Sequence, residues 1–166
     1  MDHQHPFALR NYHLDGLSLH PLAEEHAERL ARDICRMPPW SVIGYPARAL
    51  YSFLVGYDPG CRRFEIVSKG EIAGTCAIRT PWLRGPYLQL MAILPDFQGR
   101  GLGGKILTWM EAQALRDDAR QLWLCVSSFN AGAQSFYQRF GFEAAAVLDN
   151  VLVNGSDEIL MRKKLF

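Results

Sequence analysis

The chain has 166 residues, of which 49% are hydrophobic and 21% are charged, and its formal net charge is +1 at pH 7. This length predicts one domain over residues 1–166 with a sizeable core, and residues 1–12 are expected to be loosely ordered, as chain ends often are. The near-zero charge excludes the electrostatic attraction behind non-specific nucleic-acid binding, and no apolar run reaches the roughly 18 to 20 residues of a membrane span. We therefore expect neither nucleic acid nor a membrane as a partner.

The cysteines and histidines show no metal-ligand spacing. None of the four cysteines forms a C-x-x-C pair, and the five histidines all precede residue 27. Because zinc ligands recur at defined short spacings, we expect no metal cofactor. The N-terminus lacks the basic and apolar regions of a secretory signal, and two cysteines sit within apolar runs, so we expect a reducing, cytoplasmic location.

The first half of the chain combines helices and strands. Apolar residues recur at helical spacing from residue 22 to residue 36, and Pro38-Pro39 ends this pattern. Two strands joined by a short hairpin at Lys69-Gly70 follow later. In chain order, the predicted elements are a strand over 17–20, helices over 22–36 and 46–55, strands over 62–68 and 71–80, and a loop over 81–86.

The second half contains a crossover unit. The nearly continuous apolar segment 87–94 predicts a strand buried on both faces, followed by a helix over 101–117 and a strand over 122–126. A second helix is predicted over 131–140, then strands over 142–153 and 157–164 around a turn at Asn154-Gly155. The crossover makes its two strands parallel, whereas hairpins make the others antiparallel. The predicted fold class is mixed α/β, with one central, mostly antiparallel sheet flanked by helices.

The segment between the apolar strand and the next helix is rich in glycine: residues 98–104 read Q-G-R-G-L-G-G. Glycines let backbone N–H groups approach a ligand closely, and the start of a helix carries a partial positive charge. Both effects favour a phosphate or pyrophosphate. The alternative is that the glycines serve only tight packing between strand and helix, although one or two glycines would be enough for that.

Two phosphate-binding patterns fit this segment incompletely. Gly99, Gly101 and Gly104 satisfy the dinucleotide pattern G-x-G-x-x-G, but the next strand ends C-V-S-S, without the acid that binds the ribose. The nucleoside-triphosphate loop fits as far as Lys105, but Ile106 stands where a magnesium-binding hydroxyl is needed. Neither pattern is therefore favoured.

The segment resembles the signature of the GCN5-related N-acyltransferases, Q/R-x-x-G-x-G/A, which residues 98–103 match at every position. A second stretch resembles that family's N-x-x-A-x-x-x-Y-x-x-x-G-F pattern. Its matching residues are Asn130, Ala133, Tyr137, Gly141 and Phe142. The resemblance covers residues 87–142, whereas the first half of the chain resembles the family only in its order of elements.

The resemblance implies an enzyme that binds acetyl-CoA or another acyl-CoA and transfers the acyl group to an amine. It implies that the pyrophosphate lies on the amides of the glycine turn and that the pantetheine arm follows the strand before it. The next strand is then expected to splay away and open a slot. Asn130 would contact the cofactor, although it can also cap the helix that it precedes. The cofactor-binding residues so implied are Met91, Ile93, Gln98, Gly99, Arg100, Gly101, Gly103, Gly104 and Asn130.

Tyr137 matches the family's general acid, a phenol that protonates the departing thiolate. The alternative is a core tyrosine, since phenylalanines flank it on the same helix face. Many relatives place a glutamate base in the strand before the turn, but here that strand has Gln89, whose amide cannot accept a proton. The base stays open between ordered waters and a more distant acid such as Glu65 or Glu71.

The acceptor pocket in such enzymes comes from the first two helices, their loop and the last hairpin. Trp40 and Tyr45 lie in that loop and can receive a cation on their rings, or can simply pack the loop. Gln89 is a weaker third substrate contact. We predict an N-acetyltransferase that acts by direct attack on a primary amine of a small molecule or peptide. A non-catalytic acyl-CoA-binding module is the alternative, and homodimerisation through strand edges stays open.

Overall fold

The computed structural model describes residues 5–166, which form one eight-stranded sheet with helices on both faces. The strands are β1 (Tyr12–Leu14), β2 (Leu17–Pro21), β3 (Cys61–Ser68), β4 (Glu71–Trp82), β5 (Gly85–Ile93), β6 (Gln121–Ser127), β7 (Glu143–Leu148) and β8 (Glu158–Lys164). The helices are α1 (Glu24–Cys35), α2 (Trp40–Ile43), α3 (Ala47–Val55), α4 (Leu102–Leu115) and α5 (Ala131–Arg139).

The strands lie in the order β1-β2-β3-β4-β5-β6-β8-β7. Every neighbouring pair is antiparallel except β5 and β6, which are parallel and are connected through α4. The predicted fold class is therefore confirmed: a mixed α/β fold with a mostly antiparallel sheet and one parallel pair.

The parallel pair is in contact only where it begins. Tyr87 pairs with Trp123 and Leu88 pairs with Leu124, and the pairing stops there although both strands continue. Paired strands lie about 4.8 Å apart, so the end of the pairing is where the two strands separate. The splay that the resemblance implies is present, and it opens a gap in the middle of the sheet.

Each face of the sheet is covered by helices. On one face α4 packs Ile106, Leu107 and Met110 into the core, and on the other face Leu30 and Ile34 of α1 pack beside α3. Burying one large aliphatic side chain favours folding by about 1.5 to 3 kcal/mol. The core beside α4 contains residues of both β5 and β6, and the core beside α1 contains residues of β5, so packing holds these strands without hydrogen bonds between their separated ends.

The prediction of a loop over residues 81–86 is wrong. Strand β4 continues to Trp82 and β5 begins at Gly85, so that only Leu83 and Arg84 form the turn, both with positive φ. The Trp82 ring stacks on Tyr87 at 4.8 Å between centroids, which favours extended backbone on both sides of the turn. Pro81 is accommodated because the end of the strand is exposed.

The last two strands are shorter than expected, and a loop over residues 149–157 replaces the tight turn at Asn154-Gly155. The Oδ1 atom of Asn150 accepts a hydrogen bond from the Gly155 N–H at 2.6 Å, which closes the loop on itself. Asn150 adopts a positive φ, a conformation that asparagine tolerates better than most residues. Asn154-Gly155, which predicted a tight hairpin turn, therefore lies within a longer loop.

Two short elements were not predicted from the sequence. Strand β1 has three residues and pairs with β2, and helix α2 forms a single turn inside the predicted aromatic loop. Of the stretch 1–12, which we expected to be loosely ordered, residues 1–4 lie outside the described residues. Phe7 is 1% exposed, with its ring edge-to-face on Trp109 at 5.5 Å.

No helix within residues 5–166 is long and apolar enough to cross a bilayer. Within the same range, no group of three or more His, Cys, Asp or Glu side chains is arranged to hold a metal ion.

Candidate functional site

A cavity of about 970 Å³ occupies the gap between β5 and β6. The loop before α2, the glycine turn, the start of α5 and the loop over 149–157 form its other walls. Of the predicted site residues, those that line this cavity are Trp40, Tyr45, Gln89, Met91, Ile93, Gln98, Gly99, Gly101, Gly103, Gly104, Asn130 and Tyr137. Arg100 does not line it, since its exposed guanidinium lies over the Phe97 ring at 5.5 Å.

The glycine turn presents unpaired backbone N–H groups at the start of α4. Gly99 and Gly101 have φ values of +71° and +76°, a left-handed conformation that glycine adopts without strain. The N–H groups of residues 99–104 donate to no described residue. The first N–H that does so belongs to Lys105, which donates to the Gly101 carbonyl at 3.2 Å. Free donors at the positive end of a helix dipole are chemically suited to an anion.

The other two glycines of the turn serve packing. A Cβ on Gly104 would lie 2.7 Å from Cζ of Phe140, and one on Gly103 would lie 3.1 Å from Cζ of Phe136. The Phe136 and Phe140 rings therefore pack directly on the first turn of α4 because neither glycine has a side chain. The packing interpretation is therefore supported at Gly103 and Gly104, whereas Gly99 and Gly101 shape the turn that leaves its N–H groups unpaired.

The main chain of β5 faces the cavity at alternate residues. The Leu94 N–H donates to the carbonyl of Ala73, near the start of β4. Main-chain groups alternate in direction along a strand, so those of Ile93 and Met91, one and three residues before Leu94, point away from β4. They point into the gap where β6 has separated. The Gln98 side chain already donates to the Ile93 carbonyl at 2.8 Å, which fastens the glycine turn to the end of β5.

Strand β5 differs from the prediction that both of its faces are buried. Buried residues alternate with half-buried ones along the strand. The half-buried side chains of Tyr87, Gln89, Met91 and Ile93 border the cavity, which explains why an almost entirely apolar sequence is not fully enclosed.

Asn130 caps helix α5, as one of its two interpretations proposed. Its Oδ1 atom accepts a hydrogen bond from the Ala133 N–H at 3.2 Å. Its side-chain NH₂ group has no partner among the described residues, and the residue lines the cavity. Capping therefore leaves its donor group available to a ligand.

Tyr137 projects from α5 into the same cavity as the glycine turn. Its ring packs edge-to-face on Phe136 and Phe142, with centroids 5.2 and 5.9 Å away. Burial raises the pKa of Tyr137 to about 12, so the phenol is protonated at neutral pH. No described residue forms a hydrogen bond with its hydroxyl, which leaves this O–H free to act as a donor.

Gln89 is held by a charged pair rather than free in the cavity. Its Oε1 atom accepts a hydrogen bond from Arg79 Nε at 2.9 Å, and Arg79 Nη2 lies 2.6 Å from Asp58 Oδ2. The Arg79 guanidinium lowers the pKa of Asp58, which therefore stays ionised. This arrangement orients the Gln89 amide, whose NH₂ group can donate to a substrate but cannot accept a proton.

Neither distant acid considered as a base lines the cavity. Glu65 accepts hydrogen bonds from the Ala23 N–H at 3.3 Å and from His26 Nδ1 at 2.7 Å, so it supports the start of α1. Glu71 is exposed at the beginning of β4.

The sequence analysis missed Glu158, the first residue of β8. It is 4% exposed and lines the cavity, where its Oε1 atom accepts a hydrogen bond from Ser127 Oγ at 2.7 Å. Burial raises the pKa of Glu158, and the Ser127 hydrogen bond partly opposes this effect. One signal was available: Glu158 is the only acid in the strand sequence E-I-L-M-R-K-K.

Comparison with known proteins identifies relatives over most of the chain. The model of the acetyltransferase (GNAT) family matches residues 25–142. A Bacillus subtilis (strain 168) protein named for ribosomal protein bS18-alanine N-acetylation is 30% identical over 107 residues, which cover 63% of this chain and 69% of that protein. The S-(2-succino)cysteine N-acetyltransferase of the same organism is 29% identical over 104 residues, which cover 58% of this chain and 62% of that enzyme.

Solved structures share the fold over nearly the whole chain. An acetyltransferase from Thermus thermophilus superposes with a TM-score of 0.72 at 25% identity and covers 93% of this chain and 100% of its own.

The two roles of the glycines predict different effects of added methyl groups. Gly104→Ala forces the Phe140 ring to move, whereas the Cβ of Gly132→Ala meets nothing within 4 Å. Since overpacking costs about 1 to 3 kcal/mol, Gly104→Ala should lower the free energy of unfolding by that amount relative to Gly132→Ala. Urea denaturation of both variants measures the difference, and equal stabilities would contradict the packing role of Gly104.

Glu158 should reduce stability at neutral pH. Its pKa is raised in the folded state, so the folded protein binds this proton more tightly than the unfolded chain, and stability falls as pH rises through the window between the two pKa values. Glu158→Gln has no ionisable group at this position, so its stability does not fall in this way as pH rises. The variant should therefore be more stable than wild type at pH 7, with the difference disappearing near about pH 4, where an unfolded glutamate is itself protonated.

Thermal melts across this pH range measure the effect. A variant that is less stable than wild type at pH 7 would show that the ionised carboxylate stabilises the fold instead.

Proposed function

Because the chain belongs to the acetyltransferase (GNAT) family, we propose that it transfers the acetyl group of acetyl-CoA to a primary amine of a small molecule or peptide by direct attack. The observation that carries the proposal is one cavity that combines free amides at a helix start with a protonated tyrosine. The first feature suits the diphosphate of CoA, and the second suits its sulfur.

The glycine turn would hold the diphosphate. The N–H groups of residues 99–104 donate to no described residue, and an anion placed there gains both hydrogen bonds and the field of the α4 dipole. Arg100, exposed on the same turn, would reach the phosphates from outside the cavity. Asn130, on the opposite side of the gap, would donate its free amide NH₂ to the same cofactor.

The main chain of β5 would hold the pantetheine arm. This arm carries two amides, and the main-chain groups of Met91 and Ile93 face the gap. Pairing with these groups would replace the strand partner that β5 loses where β6 separates. A backbone N–H of the same strand could also polarise the thioester carbonyl and stabilise the charge that develops during attack.

Tyr137 would act as the general acid. When the amine nitrogen attacks the thioester carbon, a thiolate departs whose conjugate thiol has a pKa of about 8.5. The phenol of Tyr137 is protonated at neutral pH and has a free O–H, so it can deliver a proton to this sulfur. No metal is needed for this reaction.

The acceptor would enter on the side of α2. Trp40 and Tyr45 line the cavity and offer aromatic faces to a cationic amine, and the oriented amide of Gln89 lines the same cavity. One relative is named for an alanine of a ribosomal protein and another for a cysteine derivative. Both names describe α-amino groups, so we propose an α-amine acceptor as the first class to test.

The function is tested by acetyl-CoA-dependent release of free thiol with a panel of an alanyl dipeptide, S-methylcysteine and tryptamine. Wild type should release thiol with at least one amine, and Tyr137→Phe should lower kcat by roughly 100-fold or more, because general acids contribute about that much. The acetyl-CoA Kd should not change. Tyr57→Phe, which alters a tyrosine that is 95% exposed, is the matched control and should behave as wild type.

Two results would contradict the proposal. If NAD or ATP raises the Tm while acetyl-CoA does not, the cavity binds a different cofactor. If acetyl-CoA binds but no amine yields thiol, the chain is a non-catalytic acyl-CoA-binding module. If Tyr137→Phe kept the kcat of wild type, only the assignment of Tyr137 as the general acid would be wrong.

A further inference from the structure

Glu158 places an acidic group in the cavity without a matching cation. Its carboxyl lies beside the end of β6, across from Ser127, and its Oε1 atom accepts the Ser127 hydroxyl at 2.7 Å. Its Oε2 atom has no hydrogen-bond partner among the described residues. Of the described residues that line the cavity, it is the only carboxylic acid.

Among residues 5–166, no charged side chain acts on this carboxyl. From β5 it is faced by the phenol of Tyr87, and from β6 by the thiol of Cys125, and burial raises the pKa of both groups, so they are neutral at pH 7. From β7 the residue opposite is Leu148, which does not titrate. Within residues 5–166, no Lys, Arg or His lies close enough to Glu158 to form an ion pair or to stabilise its charge.

An ionisable group that is buried without a counter-charge is costly to the fold. Asp58, by contrast, forms an ion pair with Arg79, and Glu65 accepts hydrogen bonds from the Ala23 N–H and from His26. The uncompensated position of Glu158 is therefore best explained by a cation that arrives with a ligand. An acceptor amine, which is mostly an ammonium ion at neutral pH, is such a cation and enters the same cavity.

We propose that Glu158 is the catalytic base of the reaction and that its Oε2 atom binds the acceptor ammonium and removes a proton from it. This inference rests on the proposed function, since only a transfer to nitrogen requires the ammonium to be deprotonated. The base thus lies on β8, beyond the gap, rather than on β5, the strand in which many relatives place a glutamate and this chain has Gln89.

The acceptor nitrogen loses two protons during the transfer. The ammonium gives one proton to Glu158, and the nitrogen lone pair forms a bond to the thioester carbon. The carbon–sulfur bond then breaks, and the sulfur leaves with the electron pair and takes the proton of Tyr137. The nitrogen loses its second proton, which restores the Tyr137 phenol through solvent. Glu158 releases its proton to water before the next cycle.

The experiment compares pH profiles of kcat/KM for wild type and Glu158→Gln, with acetyl-CoA and the amine of the panel that wild type acetylates fastest. Wild type should reach a plateau once Glu158 is ionised, because it accepts the abundant ammonium form. Glu158→Gln can use only the neutral amine, so its kcat/KM should be reduced at pH 7 by roughly 100-fold or more and should rise tenfold per pH unit up to the pKa of the amine. Acetyl-CoA affinity, measured by calorimetry, should be the same in both.

Ser127→Ala provides a second, independent readout. It removes the hydrogen bond that favours the ionised carboxylate, so the acid limb of its kcat/KM profile should move to higher pH than that of wild type. Glu143→Gln, an exposed acid on the neighbouring strand, is the matched control and should leave the profile unchanged.

A loss in Glu158→Gln that is equal at every pH, or no loss at all, would overturn the proposal, as would an unshifted acid limb in Ser127→Ala. These results differ from failure of the proposed function, in which wild type itself would bind no acetyl-CoA or acetylate no amine.

Discussion

The separation of β5 from β6 creates the gap around which all the candidate site residues are arranged. Backbone N–H and C=O groups in a sheet interior are almost always paired, yet here two central strands stop pairing after two residue pairs. The cost is tolerated because β5 packs into cores on both faces of the sheet and β6 packs into one of them. The result is a gap that is bordered partly by main-chain groups without a strand partner.

The same separation brings together groups from distant parts of the chain. Helix α4 begins at the end of β5, so its free N–H groups border the gap, and α5 follows β6 and directs Tyr137 into it. Strand β8 pairs with β6 and places Glu158 beside Ser127, on the far side of the gap from the turn. We therefore propose that the cofactor site, the general acid Tyr137 and the base Glu158 lie on three walls of one cavity, and that the acceptor binds between them.

The sequence was sufficient where the signals are local. The glycine turn needs left-handed backbone at Gly99 and Gly101 and open space at Gly103 and Gly104, and each requirement selects glycine at a fixed position. The helices other than α2 were predicted from sequence signals such as apolar spacing, and the parallel pair was predicted from the helix that connects its two strands. The turn at Leu83-Arg84 was not readable, because it depends on ring stacking across the strands rather than on turn-forming residues. Glu158 was missed because its importance arises only from its pairing with β6, which no local pattern reveals.

We propose that the amides of the glycine turn bind the diphosphate of CoA. Amide chemical shifts, followed during titration with CoA and separately with pantetheine, which lacks the diphosphate, test this binding. CoA should shift the amides of residues 99–104 together with those of Met91 and Ile93, whereas pantetheine should shift only the latter two. Amides of residues 99–104 that stay unmoved at saturating CoA, or that respond equally to pantetheine, would contradict it.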